Sequence, residues 1–407
     1  MTRSFWHEAH RTREATYDVV VVGGGIVGCS TAYWLHRRNA GRVAIVEART
    51  LGAAASGRNA GFILQGTHTD YLSDIERYGE HTARNLWHFT RANRELLDSE
   101  LNGSAFGWAP QGSLTVAGSA DEDERLQASV PKLRAAGAPV VYLSPEETNA
   151  RLHGTDFHGS LYVTSGAVVD PLHLVRHVAA QSQADVFPHH PVRQITWTED
   201  AVVLHTPDRR FRARRIVLAL GAYLPKLVPA LDAVVRPVRA QMLATAPAED
   251  RAIPVPAYSH DGHYYIRQLS RGDVLVGGGR HRHRRAEVGY EDRTTPAVQN
   301  TIERYLHTHF PWTRSLPIRQ RWSGTMGFSP DGRPVVGTVP EHPRGLFATG
   351  FTGHGMGYGF HMGRLLAALL CGDRAPASLS LFDANRFAET DPETSKPGAS
   401  SVRSRPE

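Results

Sequence analysis

Four consecutive β-branched residues, Val19–Val22, run directly into Gly23-Gly24-Gly25-Ile26-Val27-Gly28. Such a run bounded by glycine reads as a strand buried on both faces, as in a parallel sheet. Gly23 suits the tight turn after the strand, Gly25 the approach of a pyrophosphate to the backbone, and Gly28 close helix–strand packing. A helix expected over Ile26–Arg38 aims its first N–H groups, beginning at Ile26 and Val27, at the phosphates. Arg42–Glu47 reads as a second buried strand, which completes a βαβ unit. Glu47 ends it where a carboxylate meets the ribose hydroxyls of an adenosine and disfavours a 2′-phosphate, and Ala48 and Arg49 follow.

The same stretch also tests the membrane alternative. The uncharged run Val19–Leu35 is slightly shorter than the roughly 20 apolar residues of a spanning helix, and glycines interrupt it. No stable membrane insertion is expected. Met1–Thr16 has no apolar core, so it does not read as a cleavable signal. Cys29 and Cys371 cannot form a disulfide framework or a multi-cysteine metal site, which fits a reducing, cytoplasmic setting. With 41% hydrophobic and 21% charged residues, a disordered or fibrous chain is excluded. At roughly 100–200 residues per domain, 407 residues suggest two or three domains.

The net charge of +6 raises a nucleic-acid partner. Yet the basic residues are almost all arginine, interleaved with acids, and the densest run, Arg280–Arg285, is short. No nucleic-acid partner is expected. His281 and His283 would share one face of a strand, but no carboxylate or cysteine stands at matching spacing. The run is expected to be a solvated loop, with no metal bound. Oligomeric state is not readable.

Further along, Asp70–Leu101 reads as a long helix or helix pair, with Leu86, Phe89, Ala92, Leu96 and Leu97 at helical spacing. Leu114–Ala117 reads as a strand and Asp121–Ala136 as a helix. Ser144-Pro145-Glu146-Glu147 is a capping box with Pro at the first helical position. Pro171–Gln183 is a further helix, Ile195–Trp197 and Val202–Thr206 a hairpin, and Ile216–Leu220 a buried strand running into Gly221. Val234–Thr245 and Tyr264–Gly279 read as strands of a second, mostly antiparallel sheet. Thr295–Phe310 is a helix, Gly345–Thr349 a short strand and Met356–Leu370 a closing apolar helix; the tail Asp391–Glu407 reads as disordered. Strand-plus-glycine elements near residues 20, 220 and 350 point to one nucleotide-binding domain of separated segments, with a second domain inserted.

Two more segments carry chemistry. Leu51–Phe62 (LGAAASGRNAGF) is poor in bulk, so its backbone passes close to a ligand, and it carries Ser56, Arg58 and Asn59. Gly350–Phe360 (GFTGHGMGYGF) makes a tight path into a helix N-terminus, where Gly353, His354, Gly355 and Met356 suit the partial negative charge of a reduced flavin.

Taken in order, these pieces resemble the D-amino-acid-oxidase-related flavoproteins, the sarcosine and glycine oxidase group, and within it γ-glutamylputrescine oxidase-like amine oxidases. The resemblance rests on Gly23–Gly28 with Glu47, Ala55–Gly61, Asp74–Gly79 with Thr82-Ala83-Arg84, Ala219–Tyr223, Trp322-Ser323-Gly324 with Asp331–Gly337, and Thr352–Met356. It implies an α/β fold. A Rossmann-type FAD-binding domain is built of discontinuous segments (17–95, 150–225, 325–387), and an α+β substrate domain with a large mostly antiparallel sheet spans 96–149 and 226–324. Residues 1–16 are an N-terminal extension. FAD is implied along Gly23–Gly28 and Glu47, with Ala55–Gly61 and His354–Met356 near its ring, Val192 at the adenine and Gly221 nearby. The absence of cysteine from Ser323–Phe328 implies non-covalent FAD.

Met326 replaces an arginine that grips a simple α-carboxylate in glycine oxidases, and Leu275 stands where sarcosine oxidase has an oxygen-activating lysine. The implied reaction passes hydride from the carbon of a neutral small-molecule amine or amino-acid-like substrate to flavin N5; the imine then hydrolyses and oxygen reoxidises the flavin. Tyr264, Tyr265, Trp322 and Met326 are candidates for the substrate pocket, and Arg58 and Arg267 for an anionic end, with a surface salt bridge the simpler role for Arg267. The rival readings are a dehydrogenase passing electrons to another carrier, a flavin module of RNA modification, and an FAD-binding protein without turnover.

Overall fold

A computed structural model describes residues 13–387 apart from 68, 251, 375 and 376. Two eight-stranded sheets organise it. In the first, five strands run parallel in the order Asp185–Phe187, Val43–Val46, Arg13–Val22, Arg209–Leu218 and His342–Thr349. Val335–Val339 closes one edge antiparallel. The hairpin Gln194–Trp197 and Val202–His205 adds antiparallel to Arg209–Leu218. From Arg13–Val22 the chain steps to Val43–Val46 on one side, and Arg209–Leu218 fills the other. That reversal opens a crevice at the carboxyl ends of the strands, the place where doubly wound sheets bind ligands.

Two strands are longer than their apolar runs. Arg13–Thr16, assigned by sequence to an N-terminal extension, pairs with Arg209–Arg212. Within Arg209–Leu218, Phe211 and Ala213 are buried while arginines alternate with them, so the half-exposed part of the strand carries no continuous apolar signal.

The second sheet runs Ile318–Phe328, Arg236–Thr245, Val274–Gly278, Tyr264–Gln268, Ala257–Ser259, Ser113–Val116, Ser160–Val163 and Val140–Leu143. Only Ala257–Ser259 with Ser113–Val116 is parallel. Ser160–Val163 pairs in this sheet although it falls in the stretch 150–225 read as part of the nucleotide-binding unit. The expected α/β class with a second, mostly antiparallel sheet is therefore present.

Helix Ile26–Arg37 follows the glycine turn and packs on Gly355–Leu370. A Cβ on Gly359 would stand 2.7 Å from the Ile26 side chain, and one on Gly363 2.5 Å from the Ser30 backbone carbon. The Trp34 indole N–H donates to the Phe360 carbonyl at 3.1 Å. Several glycines of the 350–363 stretch thus lie inside a helix and permit its close packing, beyond the tight path expected of them. Asp70–Leu101 is a pair, Tyr71–Tyr78 and Glu80–Glu100, broken at Gly79 with φ 81°. Ala83, Leu86, Phe89 and Leu97 are buried along the second helix. The Ser144 capping box is formed. The tail Asp391–Glu407 lies outside the described residues.

Candidate active site

The crevice is built by backbone. Gly23 N donates to Val46 O at 2.9 Å and Ala219 N to Val22 O at 2.8 Å, so three strand ends are stitched together there. A Cβ on Gly23 would lie 2.4 Å from Ala219 O, and one on Gly28 2.0 Å from Gly23 O; neither position admits a side chain. One on Gly25 would lie 2.9 Å from Ser56 Oγ, which accepts the Ile26 N–H at 3.0 Å. The Glu47 carboxylate accepts from Gly24 N at 2.7 Å and Arg49 N at 2.8 Å. His189 N donates to Arg49 O and His190 N to Glu47 O, which lays the loop leading to Val192 beside Glu47. Gly221 opens a short turn at the end of Arg209–Leu218, its carbonyl held by the Thr349 hydroxyl at 2.8 Å.

Helices Ile26–Arg37 and Gly355–Leu370 have no acid in their first turns, and neither N-cap residue, Gly25 or His354, caps with its side chain; Ser56 takes only the Ile26 N–H. Their N–H groups and dipoles suit anionic ligand atoms. Glycines that a Cβ would obstruct, two such helix starts and a carboxylate at a strand end fit the phosphates, ring edge and ribose of FAD.

The Ala55–Gly61 loop lies over this crevice and is held from several sides. Asn59 Nδ2 donates to the carbonyls of Ala55 and Ser56, and Asn59 Oδ1 accepts from Gly61 N. The Arg58 guanidinium lines the cavity described below, but its donors go to Asp292 at 2.6 Å, Ser323 O at 2.8 Å and Ala53 O at 2.9 Å. Against the pull of burial, the hydrogen bonds from Arg58 and Ser323 hold Asp292 below the usual carboxylate range. Arg58 therefore ties the loop to the second sheet, a correction to its reading as a substrate-anion ligand. Arg267 is corrected too. It is buried, not part of a surface pair, and donates to the Ala60 and Val169 carbonyls at 2.7 and 2.9 Å. Trp322 donates from its indole to Arg58 O at 2.9 Å and packs with Phe62 and Met242; it supports the loop and is not among the cavity's lining residues.

A cavity of about 430 Å3 opens between this loop, the Thr352–Gly357 segment and one face of the second sheet. Tyr265, Met326, His354 and Met356 line it, with Ala55, Asn59, Ala60 and Gly353. Tyr265 and Tyr258 stand 5.8 Å apart by ring centroids, Phe62 meets Tyr258 edge-on at 5.3 Å, and Tyr258 stacks near His354 at 5.7 Å. Burial pushes both phenols up, so they stay protonated. Tyr264 is not part of this wall. Neighbours on a strand face opposite ways, and Tyr264 stacks on Tyr305 at 4.1 Å in the core beneath the sheet. Leu275 packs with Phe62 and Met242.

Sequence reading missed Tyr258, whose signal is only the short alternation Ala257-Tyr258-Ser259. It also missed Asn93, which accepts from Phe360 N and His361 N and donates to Met356 O, holding the start of the closing helix. Asp74 belongs to the quoted Asp74–Gly79 motif, but its role was not read. It borders a second, smaller cavity of about 80 Å3 that shares Tyr258, Asp261 and His354 with the first. Arg280–His283 is a 3-10 turn, not an alternating strand, and Arg280, His281 and Arg284 line the main cavity. The solvated-loop expectation is corrected for Arg280 and His281, which are half-buried; Arg284 is exposed at the cavity. Among the described residues no group of three or more His, Cys, Asp or Glu is placed to hold a metal.

A doubly wound sheet with a glycine-walled crevice, opening onto an aromatic-walled cavity under a second sheet, defines a dinucleotide-dependent enzyme with a small-molecule substrate. The comparisons narrow this. The family model described as FAD dependent oxidoreductase matches residues 18–369, and the chain belongs to that family. It is 29% identical over 373 residues to gamma-glutamylputrescine oxidoreductase of Escherichia coli (strain K12), covering 88% of this chain and 84% of that one. It is 27% identical over 394 residues to glycine oxidase of Geobacillus kaustophilus (strain HTA426), covering 92% and 97%. The solved glycine oxidase from Geobacillus kaustophilus shares the fold with TM-score 0.78 at 22% identity, over 90% of this chain and 98% of that one. The L-proline dehydrogenase from P. horikoshii does so with TM-score 0.77 at 20% identity, over 93% and 98%. This chain is an FAD-dependent oxidoreductase, and no helix among its described residues is long and apolar enough to cross a membrane.

Proposed function

We propose that the protein oxidises a carbon–nitrogen bond of a primary or secondary amine, or of an amino-acid-like substrate, held in the 430 Å3 cavity. The observation that carries this is the meeting of the Ala55–Gly61 loop, the Gly353–Met356 segment and the aromatic wall around one space. The names of the amine- and amino-acid-oxidising relatives support it. FAD, when bound, supplies the hydride acceptor.

The residues of the chain bind, orient and exclude water. Gly23, Gly25, Gly28, Ile26 and Val27 cradle the phosphates, and Glu47, Ala48 and Arg49 the ribose. Val192 and Gly221 flank the nucleotide. Tyr258, Tyr265 and Phe62 present ring faces and edges that suit an amine in either protonation state. Met326 adds apolar wall where a guanidinium would fix a simple α-carboxylate. Cys29 is buried inside its helix and Cys371 lies at the far end of the closing helix, so FAD is held without a cysteine link. On this reading 17–95, 150–225 and 325–387 form the FAD-binding domain, now with Arg13–Thr16, and 96–149 and 226–324 the substrate-binding domain, now with Ser160–Val163.

Oxygen is the acceptor on the main reading. A second reading, a dehydrogenase using another carrier, is favoured by the packed, apolar Leu275 on the sheet face towards the loop. The test is to mix the yellow protein with amines and amino acids under nitrogen and follow absorbance near ~450 nm. Bleaching by an amine supports the function; a spectrum indifferent to every amine and amino acid opposes it. Admitting air then separates the acceptors: peroxide with recovered colour marks an oxidase, persistent bleaching a dehydrogenase.

A further inference from the structure

We propose that the outer end of the cavity is an anion-recognition subsite, so that the substrate carries a carboxylate remote from the carbon–nitrogen bond that is oxidised. This rests on the amine-oxidising reading and names the substrate class. Arg236, Arg280 and Arg284 all line the cavity. Gly278 and Gly279, with φ of 124° and 69°, turn the chain sharply off the strand Val274–Gly278 into the turn that carries Arg280. A Cβ on Gly278 would stand 2.1 Å from His263 O, so the turn is imposed by the backbone. Arg280 is half-buried, with its guanidinium carbon 4.8 Å from the centre of the Phe328 ring. A guanidinium laid on an aromatic face keeps its in-plane donors free for a forked anion.

The nearby carboxylates are committed elsewhere. Glu287 is bound by Arg239 at 2.8 and 3.1 Å and by Gln241 at 2.9 Å. Asp292 holds Arg58 at 2.6 Å. Asp261, the carboxylate among the lining residues, sits against Glu122. Among the described residues, none of the three arginines has a carboxylate within ion-pair distance. Burial, then the charges of Arg284 and Arg236, pulls the Arg280 pKa down against a weaker upward pull from Glu287, so positive charge predominates around it. A partly desolvated cation of this kind is unfavourable alone and is offset by a bound anion. Tyr265 and Arg280 line the same cavity, so one small molecule can reach both the aromatic wall and the arginines.

The probe is glutarate, with its dimethyl ester as the uncharged control, titrated into the FAD-loaded protein and followed by calorimetry. Glutarate is expected to bind the wild type, compete with an oxidisable amine, and exceed the ester in affinity by about 10- to 100-fold, the range for charge-assisted hydrogen bonds. Arg280→Gln is expected to remove that advantage with the ester unaffected, and Arg280→Lys to retain part of it. Melting temperatures of both variants control for folding. Equal glutarate affinity in wild type and Arg280→Gln, or an ester that binds as tightly as the acid, would overturn the proposal. If amines bleach the flavin while glutarate ignores Arg280, the subsite fails and the amine function stands. If no amine bleaches it while Arg280→Gln loses glutarate, the function fails and the subsite stands.

Discussion

Asp74 carries a charge cost that the fold tolerates. It is 2% exposed and accepts the hydroxyls of Thr67 at 2.6 Å and Thr69 at 2.8 Å. Burial outweighs both donors and pushes its carboxyl up to about 7. Its folded value lies above the unfolded one, so its contribution is most favourable below about pH 4 and is lost as pH rises through about 7. Asp74→Asn keeps an acceptor for the threonines without the charge. Its melting-temperature gain over wild type is expected to grow between pH 5 and pH 8.5, to ~2–4 °C. A gain that shrinks with pH contradicts the assignment. At this scale the sequence was legible where backbone decides: Gly23 and Gly28 are required because a Cβ has no room. It was misleading where side-chain direction decides. Tyr264 and Tyr265 are adjacent and equally aromatic, and only the pleat sends one to the cavity and the other to Tyr305. Arg58 and Arg267 read only as partners for an anionic group because the distant carbonyl groups they bond leave no trace near them in sequence.

Helix Gly355–Leu370 shows how an element joins the core to the site. Its start borders the cavity, its middle presses on Ile26–Arg37, and Asn93 from a third helix bonds both Met356 O and Phe360 N. Gly363→Ala drives a Cβ into the Ser30 backbone. Overpacking of this kind costs about 1–3 kcal/mol; a lowered urea midpoint with unchanged slope is expected. An unaltered midpoint would mean that the two helices have room to separate. Arg267→Ala leaves the Ala60 and Val169 carbonyls without their donor and frees the loop beside the cavity. FAD dissociation is expected to rise by about tenfold, the scale of one buried hydrogen bond to a charged group, as read by flavin fluorescence on dilution. The elements near the fingerprint were legible because their strands are continuously apolar. Val140–Leu143, Ser160–Val163 and Ile318–Phe328 were not, since they alternate or carry polar residues across a sheet with one face against the cavity.

At the scale of the whole molecule, the crevice gathers Gly23–Gly28, Glu47, Ser56, Ala219 and the start of the closing helix, which are far apart in sequence. A ligand that binds only this assembled state stabilises it by about 2.7 kcal/mol at a hundredfold excess over Kd. The FAD-free protein is therefore expected to melt at lower temperature, with the difference closing as FAD is added back in a thermal scan. Acid acts on the assembled state as well. Burial, with neighbouring positive charge, holds His260 and His281 down to about 4, and burial does the same for His361. Folded values below the unfolded one mean stability that is present above pH 6.5 and lost as pH falls towards 4. These three outweigh the opposite trend of Asp74, so net stability is expected to fall across that window in pH-dependent unfolding. That strands near residues 20, 215 and 345 share one sheet was legible from three strand-plus-glycine elements. The arginines at the cavity were not, because a basic run looks the same in solvent as at the mouth of a site.

The central claim is that this crevice holds FAD without a covalent bond, and the visible spectrum before and after acid precipitation tests it most directly. Bands near ~375 and ~450 nm in the native protein, moving into the colourless precipitate's supernatant, are the result the account predicts. A yellow pellet would contradict non-covalent binding, and a protein that stays colourless after FAD is added would contradict the cofactor assignment itself.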